Sequence, residues 1–186
     1  LEFAQIHARF GAKVSVIEAG PRPLPVEDEE AATALRTALE AEGVSFLFNT
    51  EVDAAEHAGF GVLLSLRSGK RLSSIEGSHL LLSPPPLADT KRLDLAQAGI
   101  EADEDGFVAV DQEGNTSVAG IRAAGPGTIG VQARLRLLTD PPFIRLGLTP
   151  AQLRRAGRPA LVATSRQSGA GGVPGLIRLL ADKHSG

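Results

Sequence analysis

The chain has 186 residues, 42% of them hydrophobic, which is enough to bury one sizeable core, or one domain and part of another. A net charge of -3, with arginines and acids interspersed, offers no concentrated cationic face and argues against nucleic acid as a main partner. No apolar run approaches the roughly 20 residues that span a bilayer, no leader pattern is evident, and the lack of cysteine removes disulfides, thiolate metal sites and any dithiol centre within the chain; the expectation is a cytoplasmic protein outside the membrane.

Residues 1–10 predict a helix, Gly11 a turn, and Val14-Ser15-Val16-Ile17 a β-branched strand closed by Glu18. Helix, turn, strand and acid in that order form the second half of a dinucleotide-binding βαβ unit. There the pyrophosphate rests on the helix N-terminus and the acid bonds the adenosine ribose hydroxyls. The first strand and its Gly-rich loop are missing from this sequence, which also has no methionine. A fragment or a degenerate copy is therefore expected rather than a complete product.

Residues 19–25 carry three prolines and predict a turn-rich connection. Glu27-Asp28-Glu29-Glu30 places acids at the start of a helix running to about Glu42, with Ala31, Leu35, Ala38 and Leu39 on one face and Gly43 as its stop. Val44-Ser45-Phe46-Leu47-Phe48 comes next as a buried strand, so strand, helix and strand predict a parallel α/β layer. Residues 51–83 change to short alternating runs with a hairpin turn at Arg67-Ser68-Gly69-Lys70, which predicts an antiparallel meander. Leu80-Leu81-Leu82 is expected to return to the sheet as a strand.

Ser83-Pro84-Pro85-Pro86-Leu87 cannot continue a central strand, because proline has no ladder donor. Strands are predicted at residues 106–111 and after the turn at 116–120, the latter ending at Gly125. From Leu137 onward a second texture begins: a strand at 143–148, a helix from Pro150 to Ala156, a strand at 160–164, a Gly-rich loop at 168–172 and a final segment at 175–181. The boundary is expected at residues 130–136.

Candidate chemistry is sparse. His7, His57, His79 and His184 have no ligand spacing, so no metal site is expected. Ser165 and Ser168 lack a nucleophile elbow and a base partner. Asp28, Glu29 and Glu30 read as a solvated helix start, and no catalytic residue is assigned.

In order, these pieces resemble the FAD-dependent pyridine nucleotide-disulfide oxidoreductases, the family of mercuric reductase and dihydrolipoamide dehydrogenase. Four stretches carry the resemblance. Leu1-Glu2-Phe3-Ala4-Gln5 is similar to the stretch just after the family's nucleotide-binding glycines, and Glu76-Gly77-Ser78-His79-Leu80-Leu81 to its return toward the flavin. The run from Thr116 through Ala123-Ala124-Gly125 is similar to its second flavin motif, and that from Thr139 through Gly147-Leu148-Thr149 to the opening of its dimerisation domain.

The resemblance implies a partial Rossmann-like NAD(P)-binding domain at 1–83, a remnant of the second FAD-contacting segment at 84–133, and a truncated α+β dimerisation domain at 134–186. It implies NAD(H) and FAD as cofactors, a homodimeric parent enzyme, and hydride transfer from NAD(P)H to FAD and on to a disulfide or metal-ion acceptor. Glu2 matches the acid near the nicotinamide, Glu18 the ribose acid, and Gly125 the flavin motif. A carboxylate at Glu18 favours NADH over NADPH, with Arg22 close by leaving this open.

Departures are also expected to matter. Ser83-Pro84-Pro85-Pro86 stands where relatives carry a glycine and arginines, and Pro126 stands where they carry an acid for the flavin ribityl chain. The alternative function is a non-catalytic dimerising interaction module that kept the fold and lost the cofactors.

Overall fold

The computed structural model describes residues 1–84, 88–111, 113–123, 133–158, 160–168 and 174–182. By contact it divides into two units, residues 1–80 with 135–186 and residues 81–134.

In the first unit, helix α1 spans Glu2–Arg9 and gives way at Phe10 to Gly11, whose φ of 89° only glycine adopts cheaply. Strand β1 runs over Ser15–Ile17. Helix α2, Glu29–Ala41, starts at Asp28, whose carboxylate accepts the Ala31 N–H at 3.0 Å. It buries Ala32, Leu35, Ala38 and Leu39, three and four residues apart and hence on one face. Gly43, at φ 90°, turns the chain into β2, Ser45–Leu47, which pairs parallel with β1 from Ser15↔Ser45 to Ile17↔Leu47.

The core sits on this layer. Leu35, Leu39, Val44 and Phe143 are its buried centre, and Leu1, Ala4, Val14, Val16, Phe46 and Leu137 pack against it. The chain is thus α/β with a parallel pair and a helix between its strands, the expected crossover.

Strands β3 (Glu51–Ala58), β4 (Gly61–Ser68) and β5 (Arg71–Gly77) form the antiparallel meander, with Gly69 in the hairpin turn at φ 58°. Central strand β4 buries Leu64 and Leu66, two apart and so on one face. Gly61 is required by space, since a Cβ there would lie 2.3 Å from the Gly77 carbonyl oxygen.

Further along the chain, β6 (Ala133–Leu137) pairs with β7 (Phe143–Leu146), and α3 (Pro150–Arg155) comes next. Strands β8 (Ala160–Ser168) and β9 (Pro174–Asp182) close as an antiparallel hairpin. Helix α3 opens on a reciprocal cap: the Thr149 hydroxyl accepts the Gln152 N–H while the Gln152 side chain accepts the Thr149 N–H. Strand β9 runs against α2.

Three expectations are corrected. Leu80, Leu81 and Leu82 form no strand and are 37, 54 and 76% exposed: an apolar run supplies no ladder partner of its own, and the described parallel sheet contains only β1 and β2. Residues 106–111 form no strand either; they make one bridge, Ala102↔Val108. There the Asp103 carboxylate accepts the N–H groups of Asp105 and Phe107, so a local turn competes with the ladder. Asp111 does the same with Glu113 and Asn115, and residues 116–123 contribute only the bridge Asn115↔Arg122. Gly125 lies outside the described residues. The described residues from 88 to 123 accordingly form a series of turns: Ser117 bonds the Gly99 carbonyl and the Glu101 N–H, and Thr90 bonds the Gly106 carbonyl.

Candidate nucleotide site

Glu18 comes directly after β1. Its backbone N–H donates to the Leu47 carbonyl and its carbonyl accepts the Thr50 N–H, so strand pairing with β2 fixes its position. Its Oε1 accepts the Gly20 N–H at 2.7 Å, while among the described residues Oε2 has no protein partner. A Cβ at Gly20 would stand 3.1 Å from that Oε1, so a side chain there would crowd the carboxylate. The result is a half-buried carboxylate at the C-terminal end of a parallel strand, with one oxygen anchored and one open to accept a hydroxyl. Ligands of open α/β sheets bind at that end of the strands.

The turn beyond it is held by side chains. Arg22 donates from Nη1 to the Leu24 carbonyl at 2.9 Å and from Nη2 to those of Pro25 and Glu27 at 2.8 and 3.0 Å. Glu27 precedes the helix cap and is buried, paired with Arg145, which also bonds the Gly147 carbonyl. Arg178 on β9 pairs with Asp28 and Glu30, and Arg166 on β8 also reaches Glu30. The solvated helix start expected of Asp28, Glu29 and Glu30 is corrected at Asp28 and Glu30, which together with Glu27 tie the start of α2 to the C-terminal part of the unit. Among the described residues Arg178 Nε is buried and has no hydrogen-bond partner.

Glu2 lies in the first turn of α1, where its carboxylate accepts the Leu138 N–H. Glu2 and Glu18 therefore each have their own backbone partner on different elements. The neighbouring Gln5 is buried and bonds the Asp140 carbonyl and N–H and the Glu42 carboxylate. Arg9 adds pairs to Glu42 and Asp140. These bonds hold the Glu42 carboxyl below its ordinary value, Arg9 being the larger cause and Gln5 the lesser, against the opposing effect of burial. Sequence reasoning passed over Gln5, although its place one turn from both Leu1 and Ala8, on the same helix face, was the available signal. Among the described residues no group of three or more metal-ligating side chains occurs, and no helix is long and apolar enough to cross a membrane.

A parallel strand pair bridged by a helix, with an acid at the first strand's end, places this part of the chain among the open α/β folds. Residues 1–169 match the family described as pyridine nucleotide-disulphide oxidoreductase, and the chain belongs to it. It is 31% identical to the dihydrolipoyl dehydrogenase of Thermus scotoductus over 98% of this chain and 47% of that protein. It is 29% identical to an NAD(P)H dehydrogenase (quinone) of Mycobacterium tuberculosis over 93% of this chain and 35% of that one. The fold matches the HOCl-induced flavoprotein disulfide reductase RclA of Escherichia coli with a TM-score of 0.73 and 25% identity, covering 97% of this chain and 48% of that structure. The chain thus spans about half or less of the length of these relatives. The Thermus alignment extends over 216 positions, more than the 186 residues here, so that relative carries insertions against this chain.

Proposed function

We propose that this chain supplies the adenosine side of the nucleotide site of a flavin-dependent NAD(P)H oxidoreductase, with NADH preferred over NADPH, and lacks turnover by itself. The supporting observation is Glu18, anchored through Oε1 and open at Oε2. A carboxylate there accepts a bond from a ribose 2′-hydroxyl and repels a 2′-phosphate. The residues present fit that half of a dinucleotide. Glu2 is proposed to lie nearer the nicotinamide, with its carboxylate positioned by Leu138.

The flavin side fits poorly. Gly125 is the proposed flavin contact, but Pro126 after it brings neither an N–H nor a carboxylate, and residues 80–82 run exposed rather than as a strand. In the parent enzyme, flavin would take the nicotinamide hydride and pass electrons to a disulfide or metal-ion acceptor; no step of that kind is assigned to residues here. The proposed division is a partial nucleotide domain at 1–83, a flavin-segment remnant at 84–133 and part of a dimerisation domain at 134–186. A cytoplasmic setting and a homodimeric parent go with this reading.

Calorimetric titration with NADH, alongside an NADH-oxidation assay with added FAD, tests it. Weak binding is expected, with Kd on the order of 0.1–1 mM, equivalent to about 4–5.5 kcal/mol, and no turnover. Turnover by the pure chain, or equal affinity for NADPH, contradicts the proposal.

A second reading, a dimerising module without cofactor, draws on Ile144, Leu146 and Leu179, which are 55, 68 and 65% exposed. Phe143, on the same strand, is instead buried in the core. Sedimentation showing a defined dimer with no nucleotide affinity would favour this reading.

A further inference from the structure

An arginine four residues beyond a strand-end acid can be read as a ligand for a ribose 2′-phosphate or as part of the turn. We propose that Arg22 is a positioning residue that staples the turn after Glu18, and that its guanidinium is thereby withheld from a 2′-phosphate, so the nucleotide accepted carries a free 2′-hydroxyl. The nucleotide half of this inference rests on the reading of Glu18 as the ribose acid.

The chain needs such a staple because Pro21, Pro23 and Pro25 remove three N–H donors from seven residues, 19–25. Within residues 21–27 the backbone bond that closes the turn runs from the Glu27 N–H to the Leu24 carbonyl at 3.0 Å, and Leu24 sits at a left-handed φ of 51°. Arg22 supplies what the backbone lacks. Its planar fork of donors engages the carbonyls of Leu24, Pro25 and Glu27 together.

Both ends of the stapled turn are also fixed. Gly20 donates to Glu18 Oε1 and accepts the Asn49 N–H at 2.9 Å, while Glu27 is held by Arg145. To meet a phosphate beside Glu18, the guanidinium would have to release three carbonyls around the buried Pro23. Of those carbonyls, that of Leu24 keeps the Glu27 N–H and that of Pro25 is exposed, so the cost falls on the part-buried Glu27 carbonyl.

Arg22→Gln and Arg22→Lys test the inference in the full chain by amide hydrogen exchange and by NADH and NADPH titration. Lysine keeps the charge but cannot bridge three carbonyls in a plane. Both variants are expected to speed exchange at the Glu27 and Gly20 amides at least tenfold, while the Leu39 amide in α2 stays unchanged and reports an intact fold. NADH and NADPH affinities are expected to fall by the same factor, within twofold. Unchanged exchange at Glu27 and Gly20 overturns the staple. A loss of NADPH affinity at least fivefold greater than that of NADH in Arg22→Gln, restored in Arg22→Lys, makes Arg22 a phosphate ligand and overturns the proposal. If the wild-type chain takes up neither nucleotide, the reading of Glu18 and the nucleotide half fall together, and the exchange data still decide the staple.

Discussion

The carboxylate of Glu27, in a side chain 4% exposed, is compensated by Arg145, whose side chain is 19% exposed. Such a pair adds little over an apolar replacement, but removing one partner strands the other charge. Glu27→Ala is expected to destabilise the chain by about 3–5 kcal/mol in urea unfolding, and Glu27→Leu combined with Arg145→Met to recover most of it. A double variant as unstable as the single would contradict this. Glu42 gives a pH dependence of known sign. Its folded value is depressed, so its contribution is complete above the unfolded value near 4.5 and is lost as pH falls through the lower folded value. Unfolding measured between pH 6 and pH 3 should show a drop that Glu42→Gln diminishes; an equal drop in that variant would remove Glu42 as a cause.

At the scale of elements, the caps make a clean comparison. Thr149→Ala removes a cap local to α3 and should cost about 1 kcal/mol, whereas Asp28→Ala also removes a partner of Arg178 and should cost more, about 2 kcal/mol. Equal losses in thermal unfolding would show that the Arg178 contact adds nothing. The elements legible in the sequence were those with local signals: the Leu35 and Leu39 stripe, Gly43 as a stop, Pro150 at the start of α3, and Gly69 between alternating runs. Leu80-Leu81-Leu82 misled because a run of leucines states an apolar preference but not whether a strand edge waits for it. Residues 106–111 misled because Asp103 and Asp111 capture nearby amides. The ion pairs of Glu27, Asp28 and Glu30 join positions more than a hundred residues apart, a separation no periodicity reports. The place of Glu18 at a strand end was legible; its bond to Gly20 was not, since turn geometry decides it.

For the whole molecule, α2 connects the parallel pair to β9, and Asp28 and Glu30 at its start meet arginines of the C-terminal hairpin. A nucleotide at the end of β1 would therefore bind next to a turn tied into both ends of the first unit. Uniformly labelled chain titrated with NADH and mapped by amide chemical shift tests this most directly. Shifts are expected to concentrate at residues 18–22 and 48–50, and Glu18→Ala to abolish them while leaving the amides of β8 and β9 unmoved. No shift at those residues, or the same shifts in Glu18→Ala, would contradict the assignment of this strand end as the nucleotide site.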